Sequence, residues 1–171
     1  MSRAVYKTKY LEMHDDNGWF FAKRPGDIDV VGILGVTDDE KLVLVEQFRK
    51  PVASRVVELP AGLAGDTEAF RGETLEVAAR RELLEETGYE ATHWQQLWSL
   101  PSSCGMTNEL VTLFRAKNLK KVAEGGGDET EDILVHTIPL AGIQKWLEDQ
   151  QAAGLLVDPR VYVGLYALSC E

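Results

Sequence analysis

The sequence lacks any apolar run of about 18 residues, the length of a membrane-spanning helix, so we expect no membrane partner. Residues 1–9 alternate and carry charge, and so lack the apolar centre of a secretory signal. Only two cysteines occur, Cys104 and Cys170, which is too few for a disulfide framework. These absences predict a cytoplasmic protein.

Basic residues are also scarce, since 18 Lys and Arg stand against 28 Asp and Glu, a formal net charge of −10. This balance argues against nucleic acid as a partner, because duplex binding depends on Lys and Arg that neutralise phosphates. It does not exclude a small phosphate-bearing molecule, because a bound metal ion can reverse the local field. A hydrophobic content of 44% in 171 residues predicts one domain with a core.

Turn residues and apolar runs predict strands with inserted helices, an α+β pattern with a mixed sheet. Thr74 is a permitted helix N-cap, and Gly88 suits the position after the last turn. We expect strands at 7–13, 19–23, 28–36, 42–48, 56–59, 94–100, 110–116 and 133–138, helices at 74–87, 140–151 and 159–169, and a loop at 61–73.

Three glutamates share one face of the predicted helix 74–87. Glu82 and Glu86 are four positions apart and Glu85 is three from Glu82, so all lie within an arc of roughly 100°. Most acidic clusters are solvated surfaces, and arginines nearby could balance this one. A preceding loop around Ala61, however, can bring backbone carbonyls to the same place. Oxygen ligands without a nearby Cys or His pair favour a hard cation, Mg²⁺ with Mn²⁺ as the alternative.

Three segments together resemble the Nudix box, which is a glycine, five residues, a glutamate, seven residues and then Arg-Glu-apolar-any-Glu-Glu-any-Gly-apolar. They are residues 59–63, 72–74 and 81–89. The match is complete from Glu73 onward. Gly62 precedes Glu73 by eleven positions instead of six, which we interpret as a five-residue insertion within 64–70.

The resemblance implies a Nudix fold, an α/β/α sandwich with a mixed β-sheet between helices plus an N-terminal β-hairpin. Residues 1–27 would form the hairpin, which in such proteins helps to build a homodimer and a base-binding pocket. Residues 28–171 would form the hydrolase domain.

The resemblance also implies roles for the box residues. Glu82 and Glu86 would be the main magnesium ligands, and Glu85 would support them or bind a second ion. The Ala61 carbonyl would add a ligand, while Arg81 would orient a box glutamate. Two ions can bridge a pyrophosphate and activate a water molecule.

Further segments resemble the branch of ADP-ribose and nucleoside-diphosphate-sugar pyrophosphatases. One is Leu44–Arg49 followed by residues 58–62. The other is Ser103–Glu109, which is similar to a Ser-Pro-Gly-three-residues-Glu segment with Cys104 in place of the proline. Ser103, Gly105 and Glu109 would therefore contact substrate.

The acidic segment Asp128–Ile133 matches a loop of the same branch whose first glutamate is the general base. That role falls on Glu129, and Glu131 would ligate metal or share the work. A carboxylate beside three glycines could close over substrate and accept a proton from water. A solvated acidic loop is the alternative.

Four more residues are candidate substrate contacts, each with a plainer alternative. Arg49 and Arg55 could clamp a phosphate or the distal sugar, since guanidinium binds phosphate oxygens bidentately, or they could be surface charges. Glu58 could bind a ribose hydroxyl or pair with an arginine. Trp19 could stack on a nucleobase or serve in packing.

These patterns predict a Mg²⁺-dependent hydrolase that cleaves the pyrophosphate of ADP-ribose or a nucleoside-diphosphate sugar, giving a nucleoside monophosphate and a sugar phosphate. Another nucleoside diphosphate derivative is an alternative substrate. A diphosphate isomerase of this fold would require a catalytic cysteine. A non-catalytic nucleotide-sensing module would lack box glutamates, all of which occur here.

Overall fold

The structure is a computed structural model that describes residues 2–26, 28–65, 67–127 and 132–170. Its first element is an antiparallel sheet of β1 (Arg3–Lys7), β2 (Glu12–Asp16) and β3 (Trp19–Lys23). The predicted hairpin is confirmed as β2 and β3, with Gly18 of the turn at φ 91°. The single strand predicted at 7–13 is wrong, because the Thr8 hydroxyl accepts the Leu11 amide and turns the chain between β1 and β2.

The main sheet contains eight strands within the described residues, and it is mixed because β4 runs parallel to β9 and β11 parallel to β6. The strand order is β11-β6-β5-β4-β9-β8, with β10 paired to β5 and β7 paired to β4. The strands are β4 (Asp29–Val36), β5 (Lys41–Arg49), β6 (Ser54–Glu58), β7 (Ala61–Ala64), β8 (Tyr89–Pro101), β9 (Leu110–Lys121), β10 (Leu134–Pro139) and β11 (Leu156–Val157).

Three helices accompany the sheet in the described residues: α1 (Leu75–Thr87), α2 (Ile143–Ala152) and α3 (Pro159–Ser169). The predicted caps of α1 are confirmed. The Thr74 hydroxyl accepts the Val77 amide at 3.3 Å, and Gly88 adopts φ 69°, a left-handed conformation that glycine takes without steric cost. No helix of the described residues is long and apolar enough to span a membrane.

The core has one apolar cluster on each face of the sheet, because successive side chains of a strand point to opposite sides. On β4, Ile33 packs towards α1 and Leu34 towards α2 and α3. The α1 cluster includes Val31, Ile33, Val43, Ala78, Ala79, Leu83 and Phe114, and the other includes Leu34, Leu42, Leu44, Val57, Ile143, Leu147 and Val161. The predicted sandwich of a mixed sheet between helices is therefore confirmed.

The expectation that residues 61–73 form only a loop is wrong at its beginning. Residues 61–64 are β7, which pairs with β4 from Asp29 to Gly32, whereas β4 pairs with β5 only at Gly35 and Val36. The sheet therefore opens where β4 leaves β5, and β7 runs along this opening towards α1.

Candidate active site

Arg81 binds two glutamates of α1, and a third just before it, with one guanidinium. Its Nη1 donates to Glu82 Oε1 at 2.7 Å and to Glu85 Oε2 at 3.0 Å, the contact that the four-residue spacing predicts. Its Nη2 donates to Glu73 Oε1 and to the Leu63 carbonyl, both at 2.9 Å. Although burial opposes a charge here, these acidic partners raise the pKa of Arg81 above its ordinary value. Arg81 is thus the counter-charge of the acidic face.

The insertion before α1 leaves Glu73 in contact with Arg81. Gly65 adopts φ 74° and donates its amide to Glu73 Oε1 at 3.1 Å, while the Phe70 ring lies 4.2 Å from the Arg81 guanidinium carbon. Burial alone would raise the pKa of Glu73, but Arg81 and the Gly65 amide hold it below the ordinary value. Gly65 and Phe70 of the inserted segment thus lie against Glu73 and Arg81, and Glu73 keeps its contact with Arg81.

The strand β7 brings its backbone against the carboxylates of α1. The Ala61 amide donates to Glu86 Oε2 at 2.9 Å, and Glu86 is only 3% exposed. A Cβ on Gly62 would lie 1.9 Å from the Glu82 carboxylate carbon, so this position has room only for glycine while Glu82 keeps its place.

These groups fit a hard divalent cation, because every side-chain ligand on this face is a carboxylate oxygen. Within the described ranges, no three acidic, imidazole or thiol groups already stand together as a ligand set. The Arg81 guanidinium explains this, since it holds Glu82 and Glu85 on its own nitrogen. A cation bound by Glu82, Glu85 and Glu86 would share with Arg81 the task of balancing the charges of Glu82 and Glu85.

A cleft of about 670 Å³ extends from Glu82 to the first turn of α3. Five of the residues predicted as ligands or substrate contacts line it, from three strands, α1 and the residue just before β9: Arg49, Glu58, Ala61, Glu82 and Glu109. A cavity of this size is typical of a small-molecule site.

Three arginines line this cleft, and each is held by a carboxylate. Arg24 Nε donates to Glu109 and Arg49 Nε to Glu58, both at 2.8 Å. Arg160 forms a fork with Asp158. In Arg24 and Arg49 the carboxylate is bound through Nε alone. Their Nη nitrogens bond to no residue that the structure describes. The cleft therefore offers oriented donors to an anionic or hydroxyl-bearing ligand.

Sequence reasoning missed Arg24, Asp158 and Arg160. The position of Arg160 in the first helical turn was a usable signal, because a cation there opposes the helix dipole and calls for another explanation. For Arg24 no local pattern distinguishes it from a surface charge.

The carboxylate at the centre of the cleft is Glu58, which is 4% exposed. Burial, with a smaller contribution from Asp158, raises the pKa of Glu58 above its ordinary value, although Arg49 and Arg160 oppose the rise. The arginine pairing that the sequence analysis offered as one alternative is present, and Glu58 also lines the cleft, while its binding of a ribose hydroxyl stays a prediction.

Four other predicted substrate contacts lie outside this cleft. Arg55 projects from the face of β6 opposite to Glu58, where it binds Glu46 and Asp132, the latter at 2.8 Å. Trp19 is 64% exposed on β3. Ser103 and Gly105 lie in an exposed turn in which the Ser103 carbonyl accepts the amides of residues 106 and 107.

Glu129 and Glu131, the predicted general base and its partner, lie outside the described residues. The preceding residues are bonded to α1, since the Gly126 amide donates to the Glu86 carbonyl at 2.7 Å and the Gly127 amide to the Glu85 carbonyl at 3.1 Å.

Comparison with known proteins gives concordant results. Residues 27–156 match the NUDIX domain family. A Bacillus subtilis ADP-ribose pyrophosphatase is 37% identical over 130 residues, which cover 75% of this chain and 66% of that protein. A Bacillus methanolicus methanol dehydrogenase activator is 38% identical over 119 residues, 68% of this chain and 60% of that one. A Cronobacter sakazakii GDP-mannose pyrophosphatase is 35% identical over 114 residues, 61% of this chain and 56% of that one.

The chain thus spans less than two thirds of the length of these relatives. Its fold is also similar to the crystal structure of an ADP compounds hydrolase, with a TM-score of 0.67 at 24% identity over 86% of this chain and 80% of that one. At that identity the likeness concerns the fold.

Proposed function

The chain belongs to the Nudix family, and from this premise we propose that it hydrolyses the pyrophosphate bond of ADP-ribose or of a nucleoside-diphosphate sugar. The products would be a nucleoside monophosphate and a sugar phosphate. The supporting observation is the single cleft that joins Glu82 of the acidic helix to Arg49 and Glu58. An anionic diphosphate needs a metal-binding carboxylate such as Glu82, and a hydroxyl-bearing sugar needs hydrogen-bonding groups such as Arg49 and Glu58. The cleft places the two kinds of group side by side.

In this proposal Glu82 and Glu86 hold Mg²⁺, with Glu85 and the Ala61 carbonyl as further ligands. Bound magnesium, or manganese in its place, would neutralise the pyrophosphate and make the attacking water more acidic. Arg81 keeps the glutamates in place, as its hydrogen bonds to Glu82 and Glu85 indicate.

Glu129 is the proposed general base, and Glu131 is the alternative. Water attacks one phosphorus, its proton passes to the carboxylate, and the bond from that phosphorus to the bridging oxygen breaks. Support comes from Gly126 and Gly127, whose amides fasten the start of this segment to the end of α1. Glu129→Gln should lower kcat by about 10²- to 10⁴-fold, whereas full activity in that variant would transfer the role to Glu131.

The decisive experiment is product analysis with ADP-ribose, ADP-glucose, UDP-glucose and GDP-mannose, with Mg²⁺ and with EDTA. We expect a nucleoside monophosphate and a sugar phosphate from at least one substrate, and only with the metal. Binding without cleavage would favour a sensing module, and metal-independent cleavage would refute the metal assignment.

We also infer that the N-terminal sheet packs against a second copy of the chain. Tyr6, Met13 and Phe20 share one face of this small sheet by its register and are 67%, 40% and 57% exposed, an apolar surface that is costly to leave in water. Light scattering should report a dimer that Phe20→Glu dissociates, and a monomeric wild-type chain would contradict the inference. The exposed thiols of Cys104 and Cys170 suit the reducing cytoplasm, where we place the protein.

A further inference from the structure

The side chain of Arg160 is fixed in a way that helix formation does not explain. Arg160 lies in the first turn of α3, where a positive charge is unfavourable because it opposes the helix dipole. Asp158 already caps this helix by accepting the Arg160 amide at 2.8 Å. The guanidinium nevertheless turns back to line the cleft, and its side chain is only 25% exposed.

The geometry leaves one edge of this guanidinium available. Nε and Nη2 donate to the two oxygens of Asp158, both at 2.7 Å, and Nη2 lies 3.6 Å from Glu58 Oε1. Nη1 makes no hydrogen bond to any residue that the structure describes. A planar donor that its partner already holds in place loses little entropy when it binds a ligand.

The charges around Arg160 indicate which ligand group belongs there. Arg49 and Arg160 face Glu58 and Asp158, so two positive and two negative groups cancel. A phosphate at this end of the cleft would be repelled by the two carboxylates, Glu58 and Asp158. A hydroxyl group both donates and accepts, so neighbouring hydroxyls of a sugar match alternating guanidinium and carboxylate groups.

We propose that Arg160, held by Asp158, binds hydroxyl groups of the sugar that the second phosphate carries, and so selects nucleoside-diphosphate sugars over nucleoside diphosphates without a sugar. This inference rests on the proposed function, since it assigns the sugar end of that substrate.

The test compares the binding of ADP-ribose with that of the methyl ester of ADP, in which a methyl group replaces the sugar. GDP-mannose and the methyl ester of GDP form a second pair of ligands. Titration calorimetry in EDTA measures the binding of both pairs without turnover. We expect the wild type to bind at least one sugar compound about 10-fold more tightly than its methyl ester, and Arg160→Met to lose this ratio while its affinity for the ester is unchanged. A single good hydrogen bond to a charged group corresponds to this tenfold change.

Arg80→Met is the matched control, because Arg80 also pairs with a carboxylate, Glu76, but on an outer face of α1; it should keep the ratio. If thermal unfolding shows that Arg160→Met is not folded, Arg160→Lys, which keeps the charge but lacks the fork, should lose most of the ratio. A ratio retained in the folded variant, an equal loss for both ligands, or a wild type without preference in either pair would overturn the inference. A wild type that shows the preference but cleaves no substrate with Mg²⁺ would refute only the proposed function.

Discussion

The tight approach of Gly62 on β7 to Glu82 of the acidic helix makes Gly62→Ala an informative substitution. The added Cβ would lie 1.9 Å from the Glu82 carboxylate carbon and 2.2 and 2.3 Å from its oxygens, far inside van der Waals contact. The backbone of Gly62 is not in the left-handed region, so alanine fits the strand conformation. Since a carboxylate at the end of a flexible side chain can move more easily than a strand, Glu82 must turn away.

The expected effect on stability is small, because two contributions oppose each other. Replacing glycine by alanine restricts the unfolded chain and stabilises by about 0.4–1 kcal/mol. Glu82 would lose its 2.7 Å hydrogen bond from Arg81, a contact with a charged group worth about 1.5–3 kcal/mol. The net loss of about 0.5–2.6 kcal/mol corresponds to a Tm decrease of roughly 1–10 °C for a chain of this size.

The effect on metal binding should be larger than the effect on stability. Changes that misplace a ligand lower metal affinity by about 10- to 100-fold. The assay is a Mg²⁺ titration of pyrophosphate hydrolysis, with calorimetric Mg²⁺ binding as a second measurement and thermal unfolding to verify the fold.

Gly32→Ala on the neighbouring strand is the control, because its Cβ would meet only Leu113 and Val111 side chains at an ordinary 3.5 Å. It should leave the Mg²⁺ dependence unchanged. A Gly62→Ala protein with wild-type Mg²⁺ affinity and turnover would refute the assignment of Glu82 as a metal ligand.

Three other predictions concern single side chains. Glu86→Gln keeps an oxygen that can accept the Ala61 amide, so the fold should persist while Mg²⁺-dependent turnover falls by at least about 10- to 100-fold; full turnover would contradict the metal role. Arg81→Met leaves three glutamates without their guanidinium and should lower the unfolding free energy by about 3–5 kcal/mol. Mg²⁺ should then raise the Tm of the variant more than that of the wild type. An equal increase in both proteins would contradict the counter-charge argument. Glu58 has a folded-state pKa raised above the ordinary 4.5, so the folded state binds the proton more tightly and this group's contribution to stability is lost as the pH rises through and above 4.5. Glu58→Gln lacks that contribution, so the unfolding free energy of the variant should rise relative to that of the wild type as the pH increases. Denaturation at several pH values measures this difference, and a difference that stays constant would be evidence against the raised pKa.

The acidic helix could be predicted from the sequence because its determinants are local. The cap at Thr74, the glycine at 88 and the spacing of Glu82, Glu85 and Glu86 all act within a few helical turns. The same holds for α3, which begins at Pro159 as predicted. The error at residues 61–64 has the opposite cause, because β7 is a strand only through its pairing with β4, whose partner residues lie about thirty positions away.

The residue pattern alone was enough to identify the Nudix family, the helix that carries the box glutamates and the arginine four positions before Glu85. Which other charges share the cleft depends on how distant segments pack together. Arg49 and Arg55 look alike in sequence, but strand register and alternation direct one to the cleft and the other to the opposite face. Arg24 and Arg160 line one cavity because the fold brings the end of β3 and the start of α3 to the same cleft, an arrangement of distant segments that no local periodicity encodes.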